Sequence, residues 1–139
     1  MDCKDLQNPT AENPAPAQPL RVLAAVSDLM FVSKIAAAAK QAGCLAEFFR
    51  DAEKLKTAAA DSPCFVIVDL NNTSLDPLAL IAMLKDNPAT QQATVVAYLS
   101  HVQHELKREA EKARADLVLP RSVFSQNLYD ILRQRSCHL

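Results

Sequence analysis

Short apolar runs alternate along the chain with segments whose apolar residues recur every three or four positions. An unbroken run of this kind is typical of a buried strand, and the longer period is typical of a helix with one buried face. A helical segment follows each of five apolar runs, so the pattern predicts five strand–helix units. The predicted strands are residues 20–26, 45–49, 64–69, 94–99 and 117–119.

Local signals mark where some of the helices begin and end. The first helical segment ends at Gly43, the only glycine of the chain, which suits the left-handed residue that follows many helices. Asp76 and Pro77 together predict the start of the third helix, because aspartate accepts from free amides and proline fits the first turn. We expect Ser122 to cap the last helix.

The strands are rich in valine, isoleucine and leucine and lack polar alternation, which favours a parallel sheet covered by helices on both faces. Right-handed crossovers then predict a flavodoxin-like (βα)5 doubly wound sandwich, with a five-stranded parallel sheet of order 2-1-3-4-5. We expect this domain to span residues 20–139. Residues 1–19 hold four of the eight prolines and few apolar side chains, so they are predicted to form a disordered N-terminal extension.

Composition excludes several classes of protein. Fifteen basic and sixteen acidic residues give a net charge of -1, with no basic patch that would indicate nucleic-acid binding. The apolar runs are far shorter than the ~20 residues that span a bilayer. Four scattered cysteines favour reduced thiols, and a cytoplasmic location is expected. A single glycine excludes a Walker loop or a dinucleotide-binding fingerprint, because both need several.

Polar side chains follow four of the predicted strands at the point where each strand ends. They are Asp28 after the first strand, Asp69 at the end of the third, Ser100 after the fourth and Arg121 after the fifth. Because the carboxyl ends of parallel strands meet at one edge of a sheet, we expect these side chains to lie close together. Each also has a purely structural interpretation, as a cap of the next helix or loop or as a surface ion pair.

The order of elements and these four residues resemble the receiver domain of bacterial response regulators, over about residues 20–135. The resemblance implies that Asp69 accepts a phosphoryl group from a histidine kinase. It also implies that Ser100 and Arg121 contact that group, where receivers usually have a hydroxyl residue and a lysine. These residue types suit the chemistry, because phosphoryl transfer requires the negative charge on the group to be neutralised.

The resemblance further implies a Mg²⁺ site formed by Asp28, Asp69 and the backbone carbonyl of Asn71. Receivers usually carry two acids after the first strand, whereas this chain has Ser27 in place of the first acid. Arg121 replaces the family's lysine, and its planar, permanently charged group differs from a compact ammonium. We therefore expect weakened Mg²⁺ binding and a standing ion pair from Arg121 to one of the two aspartates.

The leading hypothesis is a stand-alone, atypical receiver-like domain in two-component (phosphorelay) signal transduction, with weak or absent phosphorylation of Asp69. It is not expected to be an enzyme. It would act by contact with a sensor histidine kinase or a downstream signalling protein through the face of residues 102–135, as a monomer or weak homodimer. One alternative is an authentic Mg²⁺-dependent phospho-acceptor that uses Asp69. Another is a small flavodoxin-like ligand-binding protein or enzyme.

Overall fold

The computed structural model describes residues 20–61, 63–100 and 103–137, with no side-chain detail for residues 135–137. The expected extension, residues 1–19, lies outside the described residues and stays a prediction. The strands are β1 (Arg21–Ala25), β2 (Leu45–Phe48), β3 (Cys64–Asp69), β4 (Thr94–Leu99) and β5 (Leu117–Pro120). The helices are α1 (Leu29–Gln41), α2 (Ala52–Asp61), α3 (Pro77–Asp86), α4 (His104–Lys112) and α5 (Arg121–Cys137).

The five strands form one parallel sheet in the order β2-β1-β3-β4-β5. The predicted (βα)5 architecture and strand order are therefore confirmed, and no strand limit shifts by more than one residue. At the carboxyl edge, Ala25 of β1 pairs with Val68 of β3, and Asp69 of β3 pairs with Tyr98 of β4. This register brings the ends of the three central strands to the same level.

Apolar side chains fill the space on both faces of the sheet. On β3, Val66 and Val68 pack toward α2, α3 and α4, whereas Phe65 and Ile67 pack toward α1 and α5. Every β3 residue before Asp69 is buried, which explains its unbroken apolar sequence. None of the helices in the described ranges is long and apolar enough to cross a membrane.

Two of the three predicted helix signals are confirmed. Gly43 follows α1 with a φ of 77°, and the carboxylate of Asp76 accepts a hydrogen bond from the amide of Ala79 at 3.2 Å. The expected cap at Ser122 is wrong. Because α5 begins at Arg121, immediately after β5, Ser122 lies inside the first helical turn.

Arg114 adopts the left-handed conformation two residues after α4 ends, with a φ of 78°. It is the only residue other than glycine with positive φ in the described ranges. Its amide donates to the carbonyl of Glu111 at 2.9 Å, and its guanidinium pairs with Asp86. The side chain thus joins the ends of α3 and α4, although its backbone is in a region that favours glycine.

We predict that Arg114→Gly is more stable to unfolding than Arg114→Ala by about 1 kcal/mol. Both variants lose the ion pair to Asp86, but only alanine keeps a β-carbon in the left-handed region. Urea unfolding of the two variants measures the difference directly. Equal stability would show that the backbone at this turn carries no such strain.

Candidate functional site

Asp69 ends β3 and lies half-buried at the carboxyl edge of the sheet. One oxygen of its carboxylate, Oδ1, accepts a hydrogen bond from the amide of Asn71 at 2.9 Å. Burial raises the pKa of Asp69, and the nearby charge of Asp28 raises it further, while the Asn71 amide and the Arg121 cation oppose the rise. The charges of Asp28 and Arg121 are thus close enough to act on Asp69.

Asp28 has two roles at the start of α1. Its Oδ1 accepts from the amide of Met30 at 2.9 Å, so it caps the helix, as one interpretation of the sequence anticipated. Its other oxygen, Oδ2, lies 3.7 Å from Nη1 of Arg121. Both carboxylate oxygens are therefore engaged by groups of the protein itself.

Arg121, the first residue of α5, connects that helix to the start of α1. Besides its ion pair with Asp28, its guanidinium carbon Cζ lies 5.5 Å from the ring centroid of Phe31. A planar guanidinium suits this cation–π contact better than a lysine ammonium does. Of the two aspartates expected to pair with Arg121, the described ion pair is with Asp28.

The loop after β3 is bonded to the end of β4. The side-chain oxygen of Asn71 accepts from the amide of Ser100 at 2.7 Å, and its Nδ2 donates to Gln103 at 3.2 Å. Ser100 is not a helix cap, because Gln103 occupies the position before α4. The Asn71 amide also bonds Asp69, so Asn71 joins two of the four edge residues, Asp69 and Ser100.

Asn72 is a buried residue to which the sequence analysis assigned no role. Its Nδ2 donates to the carbonyl of Ala25 at 3.1 Å, and its Oδ1 accepts from the amide and hydroxyl of Ser74 at 2.8 and 2.7 Å. The hydroxyl of Ser27 lies 3.4 Å from the same oxygen. Ser27, which replaces the family's first acid, therefore contacts this polar network.

An aromatic stack lies beneath the edge on the α1–α5 face. The ring of Tyr98 is 4.9 Å from that of Phe31 and 4.8 Å from that of Phe124, centroid to centroid. Its hydroxyl is buried and has no hydrogen-bond partner among the described residues. Burial raises the pKa of Tyr98, and the charges of Asp69 and Asp28 raise it further. The phenol therefore stays neutral beside the acids.

The carboxylates expected to bind Mg²⁺ have partners within the protein in this structure. Mg²⁺ takes oxygen ligands in near-octahedral geometry, usually one or two carboxylates and several waters. Here Asp28 already engages the Met30 amide and Arg121, and Oδ1 of Asp69 engages the Asn71 amide. Over the described ranges, no group of three histidine, cysteine or acidic residues could hold a metal ion.

The chain matches no protein-family model and no curated protein. Solved structures resemble it closely in fold. The chemotaxis response regulator CheY4 of Vibrio cholerae is 15% identical over 84% of this chain and 98% of its own, with a TM-score of 0.71. A CheY-like receiver domain protein from Methanospirillum hungatei JF-1 is 11% identical over 87% and 96%, with a TM-score of 0.72.

The Mn²⁺-bound form of response regulator Rcp1 is also similar, at 16% identity over 84% of this chain and 91% of its own, with a TM-score of 0.66. The identities are low, whereas the agreement of the backbones extends over most of each chain. The chain therefore has the CheY-like, flavodoxin-like fold of response regulator receiver domains.

We predict that Asn72→Ala lowers the free energy of unfolding by about 1–3 kcal/mol, because it leaves the Ala25 carbonyl and the Ser74 amide without their partner. Ser74→Ala is the matched control, since it removes one contact to Asn72 and keeps the others. Urea unfolding measures both changes. A loss no larger for Asn72→Ala than for Ser74→Ala would contradict a bridging role for the asparagine.

We also predict that Asp69→Asn is more stable than the parent chain at pH 7, by less than about 1 kcal/mol because the site is partly solvated. The raised pKa means that the folded chain binds the Asp69 proton more tightly than the unfolded chain does. The parent therefore loses stability as pH rises from the ordinary value of 3.8 through the raised pKa. The advantage of the variant should disappear as pH falls through that window.

Thermal unfolding of both proteins at several pH values between acid and neutral tests this prediction. Asp61→Asn, at the exposed end of α2, corrects for the loss of one negative charge. A difference between Asp69→Asn and the parent that does not change with pH would contradict it.

Proposed function

We propose that this chain is an atypical receiver-like domain of two-component signal transduction, which acts by binding other proteins and in which Asp69 is phosphorylated weakly or not at all. The observation that carries the proposal is the ion pair between Arg121 and Asp28 beside Asp69, at the carboxyl edge of a receiver fold. The resemblance assigns these three positions to phosphoryl chemistry, although the family has a lysine in place of Arg121, and here Arg121 pairs with Asp28.

Charge argues for weak phosphorylation. A carboxylate attacks phosphorus readily only when fixed cations neutralise the incoming group. Arg121 is held by Asp28 and Phe31, so a phosphoryl group on Asp69 would compete with these contacts for the guanidinium. Ser27 supplies no negative charge for a metal and contacts Asn72 instead.

The surface of α4, β5 and α5 favours an output through protein contact. Part of it is an apolar groove between α4 and β5, lined by Leu99, Val118, Leu119 and Pro120. The groove is also lined by Gln103, His104 and Lys107, and Lys107 pairs with Glu111. Leu117 lies outside this groove and is 41% exposed. An apolar centre with a charged rim is the composition of a protein-binding surface, which fits a histidine kinase or a downstream signalling protein. Residue 102, at the start of the expected face, lies outside the described residues.

The main alternative is an authentic phospho-acceptor that binds a divalent metal. The similar response regulator Rcp1 is described with Mn²⁺, and Asp69, Ser100 and Arg121 are at the strand ends to which the resemblance assigns such chemistry. A flavodoxin-like enzyme or a protein that binds an apolar ligand is less favoured, because the depression beside Ser100 and Arg121 is open and lined mostly by polar side chains.

The proposal predicts a gain of function. The full chain is incubated with acetyl phosphate and Mg²⁺, and phosphorylation is read from the intact mass. We expect little modification of the parent and clear modification of the double variant Ser27→Asp with Arg121→Lys, because it restores a second acid and a mobile point charge. The added Asp69→Ala should abolish the response. Ser33→Asp with Arg133→Lys, at exposed positions of α1 and α5, is the matched control.

Two outcomes would overturn the proposal. Stoichiometric, Asp69-dependent modification of the parent would establish the authentic phospho-acceptor. No Asp69-dependent modification of the restored double variant, with its fold intact by circular dichroism, would show that this edge is not a phosphoryl-accepting pocket.

A further inference from the structure

A second feature of the carboxyl edge is a shallow depression between α1 and α5, of about 480 Å³. The ring of Phe31 lies on one side of it. Among the described residues that line it, none is acidic. The polar lining residues are Lys34, Ser100, Arg121, Ser122, Ser125 and Gln126.

Two cations are held on the same aromatic ring. The ammonium of Lys34 and the guanidinium carbon of Arg121 each lie 5.5 Å from the centroid of Phe31. Lys34 also donates to the hydroxyl of Ser125 at 3.1 Å, and it pairs with no carboxylate in the described part of the chain. Asp28 pairs with Arg121 and the charge of Asp69 acts on it as well, whereas Lys34 adds a positive charge on the α1 side that no carboxylate of the described residues pairs with.

The remaining lining groups are hydrogen-bond donors. Ser122 and Ser125 are in the first turns of α5, a 17-residue helix whose amino end carries a partial positive charge. Arg121 offers up to five N–H groups, and Gln126 adds a side-chain amide. Cations, hydroxyls and an amide that converge without a lining acid match the chemistry of an oxyanion.

We propose that this depression binds phosphate, either free or carried by a small organic molecule, between Lys34 and Arg121. No covalent bond forms, and the site is adjacent to but separate from Asp69. Asp28 competes with the ligand for Arg121, because its Oδ2 is 3.7 Å from Nη1 of that residue. Since the depression is larger than one phosphate ion, a phosphomonoester has room for its organic group.

Calorimetric titration of the full chain with inorganic phosphate and with glycerol 3-phosphate, at constant ionic strength, tests the proposal. We expect saturable binding of one anion. Lys34→Gln should weaken it by about fivefold or more, as expected for loss of a charge-assisted hydrogen bond. Lys40→Gln, an exposed lysine near the end of α1, is the matched control and should leave binding unchanged. Tighter binding of glycerol 3-phosphate than of phosphate would assign the site to phosphomonoesters.

Removing nearby negative charge should strengthen binding. Asp28→Asn frees Arg121 and is expected to tighten phosphate binding, and Asp69→Asn should bind at least as tightly as the parent.

Equal weakening by Lys34→Gln and Lys40→Gln, or absence of saturable binding, would overturn the proposal. So would loss of binding in Asp69→Asn alone, because the anion would then be at the acid. The proposal does not rest on phosphorylation of Asp69, and the acetyl phosphate experiment can fail or succeed independently of it.

Discussion

Burial of β3 on both faces is the constraint on which the arrangement of the edge depends. Residues 64–68 contact apolar layers above and below the sheet, so no polar side chain is tolerated before the strand ends. Asp69 is the first position where a carboxylate reaches water, and parallel pairing brings the ends of β1 and β4 to the same level. Because each strand is followed by a helix, polar residues from separate loops meet at this edge of the sheet.

The charged side chains at the edge are paired with groups of the protein. Asp28, the single acid after β1, caps α1 with one carboxylate oxygen and pairs with Arg121 through the other. Arg121 in turn rests on Phe31, which shares a stack with Tyr98 and Phe124. Phe31 thereby joins the polar side chains of the edge to the aromatic stack below them, so replacement of Phe31 would alter both.

The sequence predicted the fold well because apolar runs determine strands, and right-handed crossovers leave few orders for them. It predicted Asp69 and Asp28 at the edge because Asp69 ends one such run and Asp28 comes two residues after another. It could not predict the role of Asn72, because a buried amide and an exposed turn residue have the same local sequence context. The cap expected at Ser122 was wrong because α5 begins immediately after β5, with no connecting residue between them. The types of the side chains do not reveal how long such a connection is. The choice of Asp28 as partner of Arg121 depends on three-dimensional distances alone.

The position of Tyr98 has a consequence for motion. A ring stacked between two others turns about its own axis only when the layer around it expands, so its flipping rate measures how often α1 and α5 separate. The chain contains no tryptophan and two tyrosines, which leaves the signals of this phenol easy to isolate. The flipping rate of the Tyr98 ring, measured by nuclear magnetic resonance, thereby reports how fast the layer formed by α1 and α5 opens.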